Sequence, residues 1–127
     1  MMSAGHESRK APRFPALVSV SVDVAEEADP LDDARSVVAD LSRAGMFVAS
    51  PARAAVGQTV YFEFDCQFGA CVVVGNIIAR RGELGFVVEF QGESGEAVQF
   101  FRVLDAARDQ ERWDLLHGIH NAHIRVV

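Results

Sequence analysis

Two stretches of this chain alternate apolar and polar residues with a period of two, and no other feature limits the fold so tightly. In Leu17–Val24 (LVSVSVDV), Val18, Val20, Val22 and Val24 fall on one side, and Ser19, Ser21 and Asp23 on the other. In Thr59–Cys66 (TVYFEFDC), Val60, Phe62 and Phe64 face one way, and Tyr61, Glu63 and Asp65 the other. Successive side chains of an extended chain point to opposite faces, so each stretch reads as a half-buried strand. Four more extended segments are predicted at 35–39 (RSVVA), 46–49, 70–80 and 85–90, the last two joined by a hairpin turn at Arg81, Gly82 and Glu83. Six short strands with turn signals between them argue an antiparallel sandwich or barrel, hence a mainly β fold.

The pattern changes after Gln91. Ser94, followed by Gly95, Glu96 and Ala97, can cap a helix, and Val98, Phe101 and Leu104 then form a helical apolar stripe. A second helical segment is predicted at about 110–121, with Trp113, Leu116 and Ile119 or His120 on one side. The expected organisation is a mobile polar arm at 1–13, a barrel with its first helix at 14–107, and a helical extension at 108–127. On a helix, His117, His120 and His123 would sweep one side after Asp114. A polar helix face is the simpler reading of them than a metal site.

At 127 residues, half of them apolar, the chain suits one domain with a modest core. No apolar run approaches the roughly 20 residues of a membrane span. The first 14 residues lack the apolar stretch of a secretory signal, so a cytoplasmic protein without membrane insertion is expected. A net charge of −6 disfavours nucleic acid as a partner. The cations are nonetheless partly gathered: Arg9, Lys10 and Arg13 stand together, while the acids concentrate in 23–33 (DVAEEADPLDD). A small basic patch on an acidic protein suits a compact anion. Cys66 and Cys71 match no zinc spacing and read as two reduced cysteines in or beside strands.

Two short patterns carry the chemistry. Arg9-Lys-Ala-Pro-Arg13 holds two arginines four apart, and Pro12 disfavours helix at Ala11. In an extended chain, residues four apart share a side, at most roughly 13 Å from each other, and can close on one ligand. The planar guanidinium makes bidentate bonds to phosphate or to the O6/N7 edge of guanine. The second pattern, Asp40-Leu-Ser-Arg-Ala-Gly45, offers a carboxylate for the donor edge of a guanine, a hydroxyl for a phosphate oxygen, and a glycine that allows positive φ or a ligand's approach to bare backbone. Alone, it is equally a strand-to-turn arrangement in which Asp40 and Ser42 hydrogen-bond their own backbone.

The order and separation of these patterns, with a strand between them, resembles the PilZ family of cyclic di-GMP receptors. The resemblance covers about residues 7–105: Arg9 and Arg13 before the first strand, DLSRAGMFV at 40–48, PARAAVGQTV at 51–60 and GNIIARRGELGFVVEF at 75–90. It implies a six-stranded antiparallel β-barrel followed by a helix, with no resident cofactor. It also implies binding of cyclic di-GMP by Arg9, Arg13, Asp40, Ser42 and Gly45, an arm that orders over the ligand, and a signal passed to a partner protein. Lys10 and Arg43 stand beside motif residues without an assigned role. The alternative is the same fold used as a ligand-independent protein–protein adaptor. Catalysis is not expected, since nothing resembles a nucleophile elbow.

Overall fold

The computed structural model describes residues 14–24, 36–67, 69–91, 98–109 and 118–127. Among these residues, seven strands and one helix run in the order β1 (Phe14–Val24), β2 (Ser36–Leu41), β3 (Gly45–Ala49), β4 (Thr59–Cys66), β5 (Gly69–Arg80), β6 (Gly85–Phe90), α1 (Val98–Asp109) and β7 (His120–Val126). The strands close a barrel in the spatial order β1-β2-β3-β6-β5-β4-β7. All neighbours are antiparallel except β1 and β7, which run parallel.

The alternating stretches behave as their period demands. Val18, Val20, Val22 and Val24 point into the barrel, as do Val60, Phe62, Phe64 and Cys66, while the residues between them are exposed or half-buried. Burying each such side chain contributes about 1.5–3 kcal/mol, which is why the register is held against a one-residue slip. The hairpin joining β5 to β6 forms where expected, with Arg81 N–H bonded to Gly85 O at 2.9 Å and Leu84 N–H to Arg81 O at 3.0 Å.

One end of the barrel is plugged by α1. Phe100 is fully buried and meets the rings of Phe64, Phe90 and Phe101 edge-on, with centroids 5.7, 5.4 and 5.2 Å away. Phe101, Val103 and Leu104 are buried beside it. The opposite end is braced by Arg80, whose Nη1 donates to Ala52 O at 2.9 Å and Ala54 O at 2.7 Å, holding the β3–β4 connection.

The sequence expectation is corrected in one place. Residues 120–126 are not the end of a second helix but a seventh strand, so the helical extension expected at 108–127 does not stand over that part; residues 110–117 lie outside the described ones. Without β7, β1 and β4 would each present an unpaired edge. The strand fills the gap, pairing Ser21 with His123 and Val22 with Ile124 on one side, and Phe62 with Ile124 and Val60 with Val126 on the other. Ala122, Ile124 and Val126 turn inward, and the backbone of Asn121, at φ 51°, sets the alternation at its start. The i, i+3 spacing of the histidines was therefore misleading. His123 Nδ1 lies 2.6 Å from Ser21 Oγ, and His120 Nδ1 lies 2.9 Å from Gly118 O.

Candidate ligand-binding site

The β2–β3 hairpin brings the second motif together at the end of the barrel that also carries α1. Asp40 is the next-to-last residue of β2, half-buried, and pairs with Phe47 across the hairpin after an irregularity in the ladder. Its Oδ1 accepts the N–H of Phe47 at 3.2 Å. Leu41, fully buried, anchors the end of the strand, and the chain then reverses over Ser42–Gly45.

Ser42 holds that reversal together. Its N–H donates to Gly45 O at 2.8 Å, and its Oγ accepts the N–H groups of Ala44 and Gly45, each at 3.1 Å. The hydroxyl also donates to Gly45 O at 3.3 Å, and the residue is only 1% exposed. Asp40 and Ser42 therefore do bond to their own local backbone, the more modest of the two arrangements that their pattern allows. A hydroxyl satisfying one buried and one part-buried amide this way stabilises the turn, because a buried amide left unpaired would cost about 1–3 kcal/mol. The end of β6 is tied to the same turn, with Phe90 N–H donating to Ala44 O at 2.8 Å.

Gly45 is required for a reason the sequence does not reveal. Its φ does not lie in the left-handed region, and it is an ordinary strand residue paired with Glu89. A β-carbon there would stand 2.1 Å from the backbone oxygen of Val88. The backbone that comes close is thus the protein's own β6. Gly75, on the other side of β6, is similarly confined, since its β-carbon would stand 2.5 Å from Glu89 O.

Arg43, the residue without an assigned role, reaches α1. Its guanidinium lies 4.6 Å above the ring of Phe101 and donates to Asp105 Oδ1 at 2.8 Å. Nothing in the spacing of DLSRAG signals this contact, since its partners lie about sixty residues further on.

Arg9 and Arg13 lie outside the described residues. The register of β1 nevertheless bears on where the first motif enters: Phe14 pairs with Leu41 and Pro15 with Asp40. Strand β1 therefore begins alongside the strand end that carries the second motif.

Other chemistry is thinly represented. Cys66 and Cys71 are free and buried. Burial pushes the Cys71 thiol up to about 11, against a lowering contact from the Phe100 backbone, so it stays protonated at neutral pH. Among the described residues, no group of three or more His, Cys, Asp or Glu is placed to hold a metal ion, and no helix is long and apolar enough to cross a membrane.

No curated protein and no solved structure matches the chain. A family model does: that of the PilZ domain matches residues 7–108, from before Arg9 to the last turn of α1. With the closed barrel, the hairpin motif and a match over most of its length, this chain belongs to the PilZ domain family.

Proposed function

We propose that this protein is a cyclic di-GMP receptor in which Arg9 and Arg13 close on the dinucleotide against Asp40 and the Ser42–Gly45 turn. Members of the family typically bind this ligand. The observation that carries the reading is the register of β1 on β2. Arg13 is covalently joined to Phe14, and Phe14 pairs with Leu41 at the strand end bearing Asp40, so the first motif is one residue in sequence from that pairing. On this reading, two motifs 27 residues apart at their nearest members act together at one rim of the barrel.

The division of labour follows from the chemistry of each group. The two guanidinium forks supply bidentate donors for the phosphates and for guanine O6 and N7. The Asp40 carboxylate, which accepts the Phe47 N–H, is an acceptor-only group of the kind that receives guanine N1–H and N2–H. Ser42 and Gly45 contribute as the frame, one satisfying the turn amides and the other letting β3 lie against β6. Ordering the seven residues from Glu7 to Arg13 costs on the order of 1 kcal/mol or more each. Four to six charge-assisted bonds at about 1.5–3 kcal/mol offset that cost and leave micromolar or tighter binding. The ordered arm then offers a changed surface to a downstream partner protein, and the chain acts by binding rather than by catalysis.

Calorimetric titration with cyclic di-GMP tests this directly. Saturable binding is expected, weakened at least tenfold by Arg13→Ala with the melting temperature unchanged. Undiminished affinity in that variant removes the clamp, and no binding at high micromolar ligand leaves a ligand-independent adaptor.

A further inference from the structure

We propose that Arg43 is a positioning residue that latches the ligand turn onto α1, so that occupancy of the turn and the stability of the helix are thermodynamically linked. The link to occupancy rests on the cyclic di-GMP reading; the latch itself does not.

The geometry points from three directions to one role. Arg43 lies inside the Ser42–Gly45 reversal, one residue from the hydroxyl that holds it and two from the glycine that seats it on β6. Its guanidinium is engaged at both a face and an edge: stacked 4.6 Å over Phe101 and bonded at 2.8 Å to Asp105. Phe101 and Asp105 are four apart on α1 and so share one side of the helix. A single side chain therefore bridges the turn to one stripe of α1. That helix reaches back into the barrel through Phe100, which meets Phe64 and Phe90. Phe90 in turn donates its N–H to Ala44 O, closing a circuit from turn to helix to β6 and back to the turn.

Such a circuit makes the turn and α1 move as a unit. A ligand that favours one geometry of the turn must favour the helix position compatible with it, and the coupling is reciprocal. The Arg43 and Asp105 side chains are 37% and 43% exposed, so the ion pair is screened and the link is modest. Arginine suits the post because its flat, weakly hydrated head both stacks and forks, whereas lysine would keep only the charge.

Amide hydrogen exchange tests the latch in the protein without added nucleotide. Arg43→Ala and Asp105→Asn should each speed exchange at Ala44 and Gly45 about three- to tenfold, with Phe62 and Val88 unaffected. The double variant should be no faster than the worse single one, and Asp105→Glu, which keeps the carboxylate, should restore protection. Saturating cyclic di-GMP should then slow exchange at Phe100–Leu104 in the parent and not in Arg43→Ala, whose affinity falls by the same three- to tenfold. Unchanged exchange at Ala44 and Gly45 in Arg43→Ala overturns the latch. Lost affinity in Arg43→Ala with full affinity in Asp105→Asn also overturns it, in favour of direct ligand contact. If the parent binds no cyclic di-GMP, the functional reading fails, while the nucleotide-free exchange still decides the latch.

Discussion

Replacing Gly45 by alanine should unseat the β2–β3 hairpin from the barrel, although alanine is only one methyl larger and the backbone there is not left-handed. The added β-carbon would meet Val88 O at 2.1 Å, where ordinary contact begins at 3.4 Å, so more than an ångström must be found. It cannot come from a side-chain shift, because the obstructing atom is backbone. Nor can β6 retreat freely: its other neighbour is β5, where Gly75 already lies so close that a β-carbon would stand 2.5 Å from Glu89 O. The strain must open the β3–β6 ladder near Phe90 N–H and Ala44 O. Overpacking of this kind costs about 1–3 kcal/mol, and each ladder bond lost adds about 0.5–1.5 kcal/mol. A loss of about 3 kcal/mol is expected, against a total stability of about 5–15 kcal/mol, which lowers the melting temperature by roughly 10 °C. Urea and thermal unfolding measure it, with Gly118→Ala as the control, since a β-carbon there meets nothing within 4 Å and should change little. If Gly45→Ala melts within about 2 °C of the parent, the close approach of β6 is not what the glycine serves.

Ser42→Ala leaves the Ala44 and Gly45 amides without their acceptor, so stability should fall by about 1–3 kcal/mol and ligand affinity with it, measurable by urea titration and calorimetry; affinity lost at unchanged stability would contradict the frame role. Ile124→Ala, in a fully buried position of β7 between β1 and β4, should cost about 2–5 kcal/mol, whereas a helical surface segment would tolerate it. Because the folded-state pKa of Cys71, about 11, lies above the ordinary 9.0, the folded protein keeps a proton that the unfolded chain releases as pH rises past 9; this contribution to stability falls between about pH 9 and 11. At pH 8, iodoacetamide should accordingly modify Cys71 in the native protein on the order of 100-fold more slowly than in denaturant, and equal rates would contradict its burial.

The parts of the fold that could be read from the sequence are those where one local pattern decides the outcome. Leu17–Val24 and Thr59–Cys66 bury alternate residues, and a one-residue slip would turn those apolar side chains outward. The Phe101 and Leu104 stripe likewise yields α1. Strand β7 carries a weaker pattern, since Ala122 is small and Asn121 departs from extended backbone at its start. Its identity is decided by the unpaired edges of β1 and β4, which are far away in sequence. The site divides in the same way. The local bonding of Asp40 and Ser42 was open to reading, because the backbone amides of Phe47 and Gly45 that they accept lie within the same hairpin. The reasons for Gly45 and Arg43 were not, because Val88, Phe101 and Asp105 come beside them only when the barrel closes and α1 seats on it.

The central claim concerns where a cyclic dinucleotide lands on this barrel, and amide chemical shifts recorded while cyclic di-GMP is added measure that most directly. Shifts are expected at Arg9–Arg13 and Asp40–Phe47, with the opposite end, around Ala52–Gly57 and Gly82–Leu84, left unmoved. Spectra that stay still at Asp40–Phe47 under saturating ligand, or that move only at the Arg80-braced end, would contradict the account and leave the PilZ barrel without this site.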